Sequence, residues 1–600
     1  MSKKSWAIKI YICLCLLLMM FPLCSAAEEE TVKVTIVDSL MFQVDEPSRS
    51  VPYGGDVSFR LTMRAGYTVA SCSYEDYAVS GQDGIYTLTL HHVTRPGRVT
   101  VTASAAPQEA NTNPTFTCAI RYIFNDGTVR EKTEEYTLSY HLRPNTFNGS
   151  SVERDGYTLL CWNTRADGQG EDIGLGSRVT VAQDECLTLY GKWVKWEDAN
   201  HFITKRQDGA LVLTGYRGGG NADMLVIPGK IKGLPVTRIA SSFTTSMRCG
   251  SLASPVLVLP SSIEVVEDNA FLHSAFREIY FFDSLQVFGS NAFPNAIATI
   301  HIDAAVAPRL QKDNYNVRFA DNLDLLILNQ DKRKMVFFSG CSMCYGFDSR
   351  MASSAFADYV VVDAGLNGEF NALFQVKCMM PYLGEGDVFI HAPEQRNPHQ
   401  FFVLRMVDSR VYCMVEGNYD LLALADFSDN AHMMEAYTAY AAFRQKSDEC
   451  TYADYNPMFN NFGDYAVARP YEESTELMRD VSYSEEWGFD FRLLTDENIA
   501  NLAAVYQQLQ QRGTRVFFSW APMNESAPNN EDVRTAGKLF QEKLGELLAP
   551  YGIPIISEVT DYIYPGRNFY DTDYHLNDLG VTFRTERLIA DVKRALEAEN

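Results

Sequence analysis

Hydrophobic and polar positions change rhythm along this chain. From 31 to 106 apolar residues alternate with polar ones in short runs, VKVTIV, DVSFRLTM, GIYTLTL and RVTVTAS, separated by PYGGD and RPGR. Alternation with period two, broken by Gly and Pro, predicts short antiparallel strands of a small β-sandwich-like module. The polar, Pro-containing stretch APQEANTNPTF then reads as a linker.

Residues 116–195 form a second β-rich block, CAIRYIFNDGTVREKTEEYTL and then RDGYTLLCWNTRADGQGEDIGLGSRVTVAQDECLTLYGKW. The pairing of GYTLLCWNTRADGQG with LTLYGKW resembles the internalin-type B repeat, a small β module of bacterial surface proteins, over essentially the whole block. Trp162 and Trp193 read as core aromatics of that module.

Between 200 and 310 the chain repeats itself. VTRIASSF (236–243), IEVVEDNAF (263–271) and LQVFGSNAF (285–293) end in matching phenylalanines, and each lies near a strand-like stretch, MLVIP, VLVLP or REIYFF. The pattern resembles the BspA-type leucine-rich repeat. It implies a short solenoid in which each unit adds a strand and buries its Phe against the next. In that family the repeats bind or space.

From 322 onward continuous apolar runs alternate with helical periodicity. LDLLILN, KMVFFSG, YVVVDAG, DVFIHAPE, TRVFFSWAP and IPIIS read as buried strands. NIANLAAVYQQLQQRG and EDVRTAGKLFQEKLGELLAPYG read as helices that stop at Gly. Such alternation predicts a mostly parallel sheet with helices on both faces, whose functional residues belong at the carboxyl ends of strands. The fold class is therefore multidomain: N-terminal all-β modules, a short repeat solenoid and a C-terminal three-layer α/β domain.

The 600 residues are 46% hydrophobic and 12% aromatic, enough to bury several cores. The opening segment carries Lys3, Lys4 and Lys9, an apolar run, and then Ser25 and Ala27 spaced for cleavage, the layout of a secretory signal over residues 1–27. Cys24 invites a lipoprotein reading, but the bulky Leu23 precedes it. No later run is long enough to span a bilayer. The chain is thus expected to be secreted or cell-surface associated. Its formal charge of −24 repels nucleic acid and anionic membranes. Thirteen cysteines, three of them inside the signal, allow disulfides after export without specifying pairs.

Candidate chemistry gathers at KMVFFSGCSMCYGFDS, residues 334–349. Ser342 follows a strand at a glycine-assisted turn into a helix that Asp348 or Ser349 can cap. A serine needs a base to become a nucleophile. The domain offers His391, His399, His432 and His575. His575 stands in NFYDTDYHLNDLG, with Asp571 and Asp573 close enough in sequence to orient an imidazole.

These blocks resemble the SGNH (GDSL-type) hydrolase superfamily: GCSMCYGFDS, then VVDAGLNG, then the C-terminal DTDYHLN, in order over about 275 residues. The resemblance implies a flavodoxin-like domain with Ser342 as nucleophile, Gly368 in the oxyanion hole and His575 as base. Two departures stand out. Thr572 occupies the expected Asp position, which leaves both Asp571 and Asp573 as candidates. The spacing of Asp573 resembles the acyltransferase branch that contains alginate O-acetyltransferase-like proteins. The third block, DVFIHAPEQRNP, places Glu394 and Gln395 where an Asn is expected, and only Gln395 could donate an N–H. Loss of one oxyanion donor typically costs ~10²–10³ in rate.

Cys341 and Cys344 form a C-x-x-C pair, but they flank the better-matched serine and read as packing residues. His391, His399 and His432 match no metal-ligand spacing. MVEGNYDLLALADFSDNAHMMEAYTAYAAF reads as amphipathic helix in an insertion, with a lid as one use. The leading expectation is a serine esterase or O-acyltransferase acting on acylated, notably acetylated, carbohydrate or cell-surface polymer, with no metal or organic cofactor. The upstream modules would take a protein or glycan ligand. The alternative is a non-catalytic adhesin or scaffold with a degenerate terminal domain.

Overall fold

A computed structural model describes residues 31–598 except 38–41, 64–66, 83–84, 106–114, 140–141, 150–151, 219–222, 245–252, 295–296, 305–314, 405–406, 426–429, 447–463, 466–468, 470–487, 527–531 and 571. The signal segment and Asp571 lie outside the described residues. The chain is multidomain, with two compact units dividing near residue 108. No described helix is long and apolar enough to cross a membrane.

The first unit is built of short strands. Gly55–Met63 and Ile85–Val93 pair antiparallel, with Phe42–Val44 and Tyr77–Gln82 outside them. Thr31–Ile36 joins Ser48–Pro52 and Gly97–Val99 in a second sheet. Phe59, Leu61, Leu88 and Leu90 are buried, as period-two alternation requires.

In the second unit, Glu131–Ser139, Thr115–Ile123, Cys186–Lys195, Tyr157–Asn163 and Asp172–Ile173 form a sheet in that order. Trp162 is fully buried and donates Nε1–H to the Phe147 carbonyl. Trp193, grouped with it on sequence, is only half-buried. Arg178 pairs with Asp321 and Asp324, tying this module to the helix Tyr315–Leu328.

The repeats stack. Met224–Val226, Val256–Val258, Glu278–Phe282 and Thr299–Asp303 run parallel as neighbours, and Leu234–Ile239, Val265–Val266 and Val287–Phe288 form a second parallel ladder. Each unit thus supplies two short strands, one more than the sequence pattern suggested. Phe243, Phe271 and Phe293 are buried one above another, with ring centroids 5.6 and 5.2 Å apart.

The α/β domain holds a four-stranded parallel sheet ordered Val360–Asp363, Lys334–Phe338, Val388–His391, Arg515–Phe518. Every residue of Lys334–Phe338 and Val388–His391 is buried, so both faces of the sheet are covered. IPIIS contributes a single parallel bridge, Phe518 to Ile555. LDLLILN is a correction: it is the end of the helix Tyr315–Leu328. Phe319, Leu323 and Leu326 recur at helical spacing and are buried, and a short apolar run alone does not reveal its period. The lid reading is also corrected. The helix Asn430–Lys446 packs on the repeat array, where Tyr437 donates to the Leu285 carbonyl and Arg444 pairs with Asp283.

Candidate active site

Ser342 is set by the carboxyl end of the central strand. After Phe338 the chain turns through Ser339 and Gly340 into the short helix Cys341–Cys344. A Cβ on Gly340 would lie 2.4 Å from Glu394 Oε1 and 2.7 Å from Gly368 Cα, so no side chain fits. A Cβ on Gly368 would lie 2.4 Å from Glu394 Oε2. The two glycines and Glu394 therefore converge where three strand ends meet. Asp348 caps the next helix, Ser349–Ala355, accepting from Met351 N–H.

Glu394, not Gln395, occupies that point. Its carboxylate accepts from Ser342 N–H at 3.0 Å, from Asn397 Nδ2 at 2.8 Å and from the Cys341 thiol at 3.4 Å. Asn397 also donates to the Gly368 carbonyl at 2.7 Å. An anion held by a backbone N–H and an amide is the arrangement an oxyanion hole offers a tetrahedral intermediate. Glu394 fills the cradle with the protein's own carboxylate. Gln395 is a correction: its buried amide is engaged elsewhere, donating to the Ala521 carbonyl at 2.7 Å. Asn397 is the amide that sequence reasoning missed. It lies further along the same third block, past Gln395, and only the turn at Glu394–Asn397 brings it back.

The Ser342 side chain is fully buried, and its Oγ lies 2.9 Å from Ser339 Oγ. Ser339 commits its one hydroxyl hydrogen to the Ala392 carbonyl, so Ser342 is the donor of the pair. Among the described residues the Ser342 proton thus points at Ser339 and not at an imidazole. Arg584, buried in the last helix, donates to the Ser342 carbonyl at 2.6 Å and ties the Ser342 turn to the C-terminal segment.

His575 is half-buried in a tight turn, its backbone N–H donating to Thr572 Oγ1 at 3.0 Å. Its ring lies 4.2 Å from that of Tyr345, three residues beyond Ser342. Folding thus brings the C-terminal histidine to the same turn as the serine, across more than two hundred residues. Asp573 is buried and faces Arg396, 3.5 Å away. Burial pushes its carboxyl up to about 6; Arg396 holds it down and Glu394 pushes it further up. Its ion-pair partner is Arg396, so the triad role expected of it is not made here.

The other candidates fall into the scaffold. His391 is buried, bonded through Nδ1 to Tyr506 and facing Gln400, and burial lowers its pKa to about 3. It is a neutral core histidine. His399 is half-buried and likewise lowered by burial. His432 lies on the helix Asn430–Lys446, packed on the repeat array. Among the described residues no cluster of three His, Cys, Asp or Glu could hold a metal. No disulfide joins two of the described cysteines. Burial pushes Cys344 up to about 12 and raises Cys341 too, with Glu394 adding to the latter. Neither is a thiolate nucleophile at neutral pH. Neither protein-family models nor curated proteins match this chain.

Proposed function

We propose that the α/β domain is an SGNH-type serine acyl-transfer domain in an exported, surface-associated esterase or O-acyltransferase acting on acylated, notably acetylated, carbohydrate or cell-surface polymer. The observation that carries this reading is the anion cradle made by Ser342 N–H and Asn397 at paired glycines, beside the Ser342 hydroxyl, with the His575 ring 4.2 Å from that of Tyr345 in the same turn. The parallel order of the strand ends supports the same reading. The stacked repeats are read as BspA-type leucine-rich repeats and the module before them as an internalin-type B repeat; both would hold the domain near its polymer.

In this mechanism Ser342 Oγ turns from Ser339, passes its proton to His575 and bonds to the acyl carbon. The carbonyl electron pair moves onto oxygen, which takes the place of the Glu394 carboxylate at Ser342 N–H and Asn397. Collapse breaks the ester bond, and His575 protonates the departing alcohol. Water or a sugar hydroxyl, deprotonated by His575, then releases the acyl group. The test is release of p-nitrophenol from p-nitrophenyl acetate, and of acetate from acetylated glycans, by the chain and by Ser342→Ala. Equal release by the two proteins refutes the mechanism.

A second reading, a non-catalytic adhesin or scaffold, is favoured by one observation: the cradle is filled by Glu394. A chain whose Glu394 variants also show no serine-dependent turnover fits that reading alone.

A further inference from the structure

Away from Ser342, a cleft of about 510 Å³ opens where the 116–195 module meets the repeats. That volume lies within the ~300–1,000 Å³ of small-molecule sites, which favour domain junctions. Its lining includes the half-buried rings of Tyr157, Trp193 and Trp196, with Lys230 and Ser261 from the repeats.

Both indoles turn their polar ends inward. Trp193 Nε1–H donates to the Phe124 carbonyl at 2.6 Å and Trp196 Nε1–H to Thr158 Oγ1 at 2.9 Å. Ring carbon is what they give the cleft. Trp196 also lies against Gly229, where an added Cβ would sit 3.5 Å from its Cζ2. The Arg154 guanidinium sits 3.9 Å from the Tyr157 centroid and braces that ring.

The charges at the rim cancel, Lys230 and Arg154 standing against Glu153 and Asp155. Lys230 Nζ is 3.3 Å from Asp155 and 3.9 Å from Glu153. A strongly charged ligand therefore finds no unbalanced counter-charge, and the net charge of −24 repels phosphates further. Backbone groups around the cleft are also spent: Trp196 N–H on Gly156, Val236 N–H on Gly229 and Ile263 N–H on Pro260. An extended peptide adding as a strand needs such groups unpaired. What matches flat apolar faces ringed by hydroxyl and carbonyl groups is a molecule with apolar C–H faces and a rim of hydroxyls.

We propose that this cleft binds a short segment of uncharged oligosaccharide, its sugar rings stacked on the aromatic side chains and its hydroxyls toward Ser261 and Lys230. The site stands whether or not Ser342 is catalytic. The test titrates the whole chain with chitotriose, cellotriose and maltotriose, followed by tryptophan fluorescence and ligand-observed NMR. Ser261→Arg fills the mouth from an exposed position without touching the core, and Trp196→Ala removes a platform. The expected result is saturable binding of at least one trisaccharide, weakened at least ~10-fold by both variants, with the melting temperature of Ser261→Arg unchanged. No binding of any of the three at about 10 mM, where a site of ~1 mM Kd is mostly filled, overturns the proposal. So does binding that Ser261→Arg leaves intact.

Discussion

Replacing Glu394 with glutamine keeps the shape of a buried side chain and removes one charge, from the place where the proposed acyl transfer would form its oxyanion. In the wild-type chain the Ser342 N–H, at 3.0 Å, and the Asn397 amide, at 2.8 Å, are both engaged by that carboxylate. A substrate must displace it, and the anion it develops meets a like charge nearby. Two unit charges 4 Å apart interact by about 4 kcal/mol at an effective dielectric of ~20, or roughly 10³ in rate. Each oxyanion donor set free is worth ~10²–10³ in kcat. The glutamine carbonyl still competes for the Ser342 N–H, so the terms do not add in full. Glu394→Gln should therefore raise kcat/KM for p-nitrophenyl acetate by ~10²–10³. Glu394→Ala, which empties the cradle, should act in the same direction. Initial rates over a substrate series, with Ser342→Ala in each background, measure the effect. An unchanged or lower rate in both variants refutes the reasoning, because the carboxylate would then not be an obstacle to the reaction.

Other predictions follow from burial and packing. Asp303 is buried, and burial pushes its carboxyl up to about 8 from an ordinary value of 3.8, with Leu175 N–H pulling it down and Asp283 pushing it up. Asp573 is raised to about 6. At these two groups the folded chain thus holds protons that the unfolded chain has released between about pH 4 and 8, and their loss of stability as pH rises through that window outweighs the opposite gain from the buried neutral His391, which ends near pH 6.5. The melting temperature should be higher at about pH 5 than at about pH 8 and flatter in Asp303→Asn; a rise with pH contradicts the assignment. Phe271→Ala removes a fully buried ring between Phe243 and Phe293 and should cost ~3–5 kcal/mol in a denaturant melt. A loss below ~1 kcal/mol would mean the stacked phenylalanines are not the core of the array. In the folded chain iodoacetamide should alkylate the exposed Cys186 and leave Cys344 untouched, as read by peptide mass spectrometry. Faster labelling of Cys344 would show a reactive thiol beside Ser342.

Much of the layering was legible because it depends on local pattern. KMVFF, VVVD, VFIH and RVFF are continuous apolar runs, and the structure makes each a strand of one parallel sheet. The repeats announced themselves through recurring Phe, whose burial needs only a neighbour of the same kind. LDLLILN failed because seven residues with one polar break fit a strand or a helix equally well, and its helical partner Phe319 lies upstream of the run. The site was legible in its membership and not in its contacts. Gly340, Gly368 and Glu394 come from three strand ends, and their meeting is fixed by register across the sheet, which no local spacing encodes. Gln395 and Glu394 are adjacent, so choosing which enters the cradle required the backbone direction after His391. Trp193 looked like a twin of Trp162 because both share a module, yet strand position buries one and leaves the other beside a cleft.

The most direct test of a serine activated at position 342 is covalent labelling. Wild-type chain, Glu394→Gln and Ser342→Ala would be treated with a fluorophosphonate probe and the adduct mapped by mass spectrometry. An adduct on Ser342 that forms faster in Glu394→Gln than in wild type is the predicted result. No adduct on Ser342 in either protein would contradict the account.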